Sequence, residues 1–264
     1  MNGAVKQPIY RALSSLHEAI LRLPEKGLRV LMYHSVGFSL EQDPYGNSID
    51  VETFRTHAEA LHAGRDTWML RAFEPPRPGE RAVCVSFDDG YRDVLSTAAP
   101  ALVDRKIPFI LFATSGLIRS ENALYLRPAQ LRELASLPGA QIGSHGATHR
   151  RLTTLPDREL EEELVSSRAA LEDMTGRPVN SISYPHGDVD RRVRDAAARA
   201  GYHLGGTSRY GLNSESRDPL LLCRTEVTAW DSAEDLRAKI RGAWDWYALR
   251  RPDPQDRPRP SGPR

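Results

Sequence analysis

Two adjacent carboxylates, Asp88 and Asp89, close the apolar run Ala82-Val83-Cys84-Val85, and Gly90 follows them. Downstream, His145 and His149 stand four residues apart in a His-Gly-Ala-Thr-His segment. One carboxylate with two imidazoles is a common catalytic metal set, and it leaves a coordination position open for water or substrate. The second carboxylate is then a spare base beside the metal. Alternation at a strand end aims Asp88 and Asp89 differently, so one can hold metal while the other takes a proton. The His145–His149 spacing places both imidazoles on one helical turn. Taken singly, Asp-Asp-Gly also reads as a turn with a left-handed glycine, and the histidines as a solvated pair.

The elements around these residues must bring them together. Apolar Ile9, Leu13, Leu16, Ile20 and Leu23 recur at helical spacing over residues 8–23. Strands are expected over 27–33, 82–87, 107–113, 140–143, 179–184 and 220–223. Helices are expected over 51–63, 91–106, 128–137, 155–174, 189–200 and 232–247. Repeated strand–helix units argue for a parallel sheet. His34, Asp88, Asp89, His145 and the segment Pro185 to Gly187 all fall where strands end. In a β/α barrel those ends form one face, where its chemistry sits. An open doubly wound sheet is the alternative.

The bulk properties narrow the function classes. The chain has 264 residues, 40% hydrophobic and 27% charged, as for a soluble globular protein. Its net charge of +1 gives no global field to steer it to nucleic acid. No apolar run is long enough to span a bilayer, and residues 1–6 lack the apolar core of a secretory signal, so a cytoplasmic protein is expected. Cys84 and Cys223 read as small buried strand residues, not metal ligands. Residues 1–26 are expected to form a helix packed on the domain. A membrane-surface helix is the other reading, with Lys6, Arg11 and Arg22 supplying only a thin basic face. Residues 27–249 form the main domain. Residues 250–264 hold five prolines, five arginines and two aspartates, a composition for a solvated, disordered tail.

Three segments carry a family resemblance: Ser86 to Asp93 (SFDDGYRD), Ser144 to Leu152 (SHGATHRRL), and Ser183-Tyr184-Pro185-His186-Gly187. In this order they resemble the polysaccharide deacetylases, carbohydrate esterase family 4, also called the NodB-homology fold. The resemblance spans roughly residues 28–245. It implies a distorted, incomplete (β/α) barrel and a divalent-metal hydrolase, with zinc the expected ion, acting on an N-acetylated carbohydrate. It implies that Asp88 is the general base and that Asp89, His145 and His149 are the metal ligands. It implies a substrate and oxyanion role for Tyr184, Pro185, His186 and Gly187, with the backbone N–H at His186 facing the oxyanion. The family usually has an aromatic residue at position 186 and often an arginine at position 183, whereas this chain has His186 and Ser183. The arginine that orients the base must then come from elsewhere, and Arg224 is the candidate. The family's acid is usually a late Leu-x-His histidine, yet no histidine follows His203. The Tyr33-His34 pair instead resembles that of the rearranged poly-N-acetylglucosamine deacetylase branch, which assigns the acid to His34.

Sequence alone leaves open O-deacetylation or cleavage of another C–N amide on the same site, and a catalytically silent carbohydrate-binding protein.

Overall fold

The computed structural model describes residues 3–21, 26–40, 43–250 and 253–254. Among the described residues ten strands are formed: β1 (Gly27–Tyr33), β2 (Ser35–Val36), β3 (Ser48–Ile49), β4 (Met69–Leu70), β5 (Arg81–Phe87), β6 (Phe109–Ala113), β7 (Ala140–Ser144), β8 (Ser181–Ser183), β9 (Leu204–Gly206) and β10 (Thr225–Glu226). The α-helices are α1 (Gly3–Ile20), α2 (Val51–Ala63), α3 (Ala99–Asp104), α4 (Ser115–Arg119), α5 (Pro128–Ser136), α6 (Asp157–Thr175), α7 (Arg191–Arg199) and α8 (Ala233–Arg241).

The main sheet is parallel, in the order β10-β1-β5-β6-β7-β8-β9, with β4 added to β5. Its central strands are apolar and buried along their length, as expected where helices cover one face and a curled interior the other. The sheet curls almost shut. The segment entering β10 touches β9 through one bridge, Gly206 to Leu222, and β10 then pairs with β1. The result is a distorted, incomplete (β/α) barrel, with the C-terminal ends of its strands on one rim. Tyr33, Phe54, Phe87 and Phe109 pack edge-on or tilted beneath that rim, at centroid distances of 5.4–6.1 Å.

Several elements depart from expectation for identifiable reasons. Residues 220–223 are not a strand. Asp218 caps a 3₁₀ turn at Pro219–Leu221, and the strand comes later, at β10. Cys223 is therefore buried in a connection, not at a strand end, while Cys84 is buried within β5. The 91–106 helix begins with a π turn at Val94–Ala98 before α3. Pro100 has no N–H to give Ser96, so the turn widens there. The 232–247 helix stops at Arg241 because Gly242 turns left-handed at φ 93°. A side chain at Gly242 would meet Arg29 Nη2 at 2.9 Å. The chain instead folds back so that Asp245 pairs with buried Arg29 at 2.7 Å. Most of the tail expected over 250–264 lies outside the described residues, but Asp253 is ion-paired with Arg217 at 2.6 Å.

Helix α1 docks differently from its apolar pattern. Gln7 bonds Asp231, Arg11 pairs with Asp235, and Tyr10 meets Trp244, Trp246 and Tyr247 edge-on. Trp246 also donates to Ser14 Oγ. Ile9, Leu13, Leu16 and Ile20 are exposed, while Leu23 lies outside the described residues. No described helix is long and apolar enough to cross a membrane.

Candidate active site

The rim of the barrel holds a cavity of about 590 Å³, with His34, Asp88, Asp89, His145, His149 and His186 among its lining residues. β5 delivers Asp88 and Asp89, β7 delivers His145, and the chain leaving β1 delivers His34. Among the described residues, four non-glycine residues have left-handed backbone: Asp89, Lys106, His149 and His186. Three of these line the cavity. Strain concentrated this way marks a site whose geometry is held by its surroundings.

Asp89, His145 and His149 each direct one ligand atom into a cluster within 4.8 Å. Asp89 Oδ1 lies 3.4 Å from His145 Nε2 and 3.2 Å from His149 Nε2. That oxygen is buried and makes no hydrogen bond. His145 turns Nε2 to the cluster because its Nδ1 is engaged by the Ser183 carbonyl at 2.8 Å, which fixes the ring as an outer partner of a metal ligand does. Burial pulls His145 down to about 4 against the nearby carboxylates, so it is a neutral imidazole at neutral pH, the form that binds metal. Burial lowers His149 too, but the adjacent Asp89 outweighs it and raises its pKa. Burial likewise works against a charged Asp89, yet His149, His34 and His145 hold its carboxyl below the usual range. Two imidazoles and an anionic oxygen without a hydrogen bond fit a divalent cation.

The histidines are not on a helical turn. They sit in an irregular loop that bends at Gly146 (φ 76°) and His149 (φ 61°). Glu163 of α6 anchors that loop by accepting from Thr148 N and Oγ1. A Cβ at Gly146 would approach Glu163 Oε1 at 3.1 Å, so tight anchoring and the glycine go together.

Asp88 is built as a fixed carboxylate. Arg224 grips it through both oxygens, Nη1 to Oδ1 at 2.7 Å and Nη2 to Oδ2 at 2.8 Å. Ser183 Oγ donates to Oδ2 at 3.0 Å and accepts from Arg224 Nη2 at 2.7 Å. Burial opposes charge on Asp88, but Arg224 outweighs it, and the carboxyl stays well below the usual carboxylate range. Ser183 and Arg224 therefore share the space at position 183 where the family often has one arginine. From sequence Ser183 marks only a departure from the family's arginine, and its role beside Asp88 comes from the fold.

The third motif divides. Tyr184 was expected at the substrate but is fully buried, its hydroxyl donating to the Leu220 carbonyl at 2.8 Å. Pro185 is buried beneath the histidine loop. Both belong to the floor, because the strand end turns at His186 (φ 61°) and only His186 and Gly187 reach the cavity. Gly187 N already donates to the Tyr184 carbonyl.

Asp93 is a second residue that sequence left unassigned. It accepts from Ser35 Oγ, from Val36 N at 2.8 Å and from Phe38 N at 3.1 Å. It thereby ties the chain beside His34 to the turn bearing Asp88 and Asp89. Asp93→Ala leaves three donors without their acceptor, so a loss of about 2–3 kcal/mol of stability is expected. Denaturant unfolding measures it, and an unchanged midpoint contradicts the clamp.

A family model for polysaccharide deacetylases matches residues 76–205, which include the Asp-Asp turn and both later motifs. The chain belongs to the polysaccharide deacetylase family. YxkH of Bacillus subtilis, named for the same family, is 29% identical over 221 residues, covering 81% of this chain and 76% of its own. Among solved structures, a polysaccharide deacetylase from Bacillus cereus has a TM-score of 0.72 at 24% identity, covering 82% of this chain and 69% of that one. The Streptococcus pyogenes deacetylase PplD, solved with acetate, has a TM-score of 0.71 at 21% identity, covering 82% and 99%. Those two structures show the deacetylase fold, the same incomplete barrel described above.

Proposed function

We propose that this chain is a metal-dependent hydrolase that removes N-acetyl groups from an N-acetylated carbohydrate. The observation that carries the reading is the pairing of an Asp89–His145–His149 cluster with a separate carboxylate, Asp88, locked by Arg224 and Ser183. A silent binding module has no use for a buried carboxylate kept ionised beside a metal site. Tyr45, Tyr210 and Tyr247 also line the cavity, giving its wall an aromatic side suited to a sugar.

A divalent ion held by Asp89, His145 and His149, zinc in our reading, supplies Lewis acidity toward water and the acetyl carbonyl. Asp88 takes a proton from the attacking water, and Arg224 keeps the carboxylate ionised and aimed. The water oxygen bonds to the carbonyl carbon, and the carbonyl electrons move onto its oxygen. The backbone N–H of His186 donates to that oxyanion, with Gly187 giving the substrate close approach. As the C–N bond breaks, His34 gives its proton to the departing nitrogen, leaving acetate and a free amine.

His34 suits this step. It lies on the wall of the cavity that Asp88 and Asp89 also line. Its Nδ1 is buried with no hydrogen-bond partner. The early Tyr33-His34 pair supports assignment to the poly-N-acetylglucosamine deacetylase branch. An amine must be protonated to leave, whereas an activated phenolate need not be. His34→Ala is therefore expected to lose about 10²-fold or more in acetate release from an N-acetylated oligosaccharide while largely sparing an aryl acetate. Equal losses on both substrates assign His34 to structure or binding instead.

A further inference from the structure

The exposed stripe of α1 is left without a role by the chemistry above. Gln7, Tyr10 and Ser14 turn toward the body, whereas Ile9, Leu13, Leu16 and Ile20 are 56%, 41%, 55% and 68% exposed. At about 100° per residue those four fall within about 60° of one another, and about 90° around the axis from Tyr10. They form one aliphatic line along a helix of 18 residues. The helix is tied to the body by polar groups: Gln7 to Asp231, Arg11 to Asp235, and Glu18 to Arg241. The apolar line is therefore not what holds α1 in place.

We propose that α1 docks this protein on an anionic lipid bilayer surface, with its aliphatic line lying in the interface. Charge distribution selects that occupant. Residues 1–26 carry four basic and two acidic side chains, and residues 250–264 carry five and two. The remaining chain carries 27 basic and 31 acidic side chains, so positive charge is segregated to the two terminal segments. Arg250, where the second of these segments begins, lies beside α1, its Nη1 3.4 Å from the Tyr10 hydroxyl. Apolar side chains with basic neighbours are the pattern of a helix that lies on an anionic membrane. A second copy fits less well. Four half-exposed aliphatic side chains fall short of the roughly 800 Å² per partner that a stable interface buries. The placement has a consequence for access: Gln7 and Tyr10 line an annex that shares Tyr45, Tyr210 and Tyr247 with the catalytic cavity. The docked surface thus lies beside the cavity mouth.

Vesicle flotation of the full chain tests this without any reference to activity. Vesicles of phosphatidylcholine mixed with phosphatidylglycerol are compared with phosphatidylcholine alone. The protein is expected to float with the mixed vesicles and to be released by high salt. Leu13→Ser combined with Leu16→Ser should weaken that binding by about ten-fold or more. Thermal midpoint and acetate release from a soluble oligosaccharide should be unchanged, since neither leucine lines the cavity. A protein that stays in the soluble fraction with mixed vesicles overturns the proposal. So does a double variant that floats as well as the parent. A concentration-dependent dimer dispersed by the same two substitutions also overturns it, and assigns the face to a second copy.

Discussion

His149→Gly is expected to empty the metal site and reduce acetate release by about a thousand-fold or more. The magnitude follows from losing several kcal/mol of Lewis-acid stabilisation, at about 1.4 kcal/mol per factor of ten. Glycine is the right replacement because His149 sits at φ 61°, where an alanine would add backbone strain to the loss of the imidazole. His149 is also less buried than His145, whose removal would open a hole under the Ser183 carbonyl. Elemental analysis should find almost no bound metal in the variant, and its thermal midpoint should stay near that of the parent. A chelator should bring the parent to the same activity. Full metal content in His149→Gly would remove this residue from the ligand set.

Asp88 and Arg224 give the second large effect, and here stability and rate separate. Asp88→Asn preserves the shape and should retain metal, yet it removes the base, with an expected rate loss of about 10²-fold or more. Arg224→Met should be worse for the fold. It leaves a carboxylate that is 2% exposed without its cation, a defect that costs about 3–5 kcal/mol. The pH dependence has a definite sign. Asp88 has a depressed folded-state pKa, so the stability it contributes is present above the unfolded carboxylate value of about 3.9 and is lost as pH falls toward the folded value. Without Arg224, burial loses the largest of the groups opposing it and raises the pKa, so the acid limb of the pH–rate profile should move to higher pH. The double variant Asp88→Asn/Arg224→Met discriminates further. It should recover most of the stability lost in Arg224→Met and none of the rate. If Arg224→Met is as stable as the parent and keeps its pH profile, the pair does not act as described.

The chemistry-bearing residues were legible because residue type and local pattern carry them. Apolar runs ending in Asp88-Asp89-Gly90 or in Ser144-His145 mark strands whose ends meet on one barrel rim. β1 and α2 fall where the pattern puts them, since strand and helix periodicity report on the backbone within a few residues. The helical turn assumed for His145 and His149 failed because spacing cannot see Glu163, which anchors their loop from α6. Tyr184 could not be told from a substrate contact because its partner, the Leu220 carbonyl, comes from a distant connection.

What only the tertiary structure decided is which distant groups meet. Arg224 reaches Asp88 across 136 residues because the segment leaving the Gly206–Leu222 bridge turns back onto β1. Asp93 and Ser183 acquire their roles the same way, through a curled sheet that converges strand ends far apart in the chain. The orientation of α1 belongs here too. Its aliphatic spacing predicts a stripe, but whether that stripe faces core or solvent depends on Asp231, Asp235 and Arg241, which hold its other side. Amphipathic periodicity defines two faces of a helix, and the partners brought by the fold determine which of them is covered.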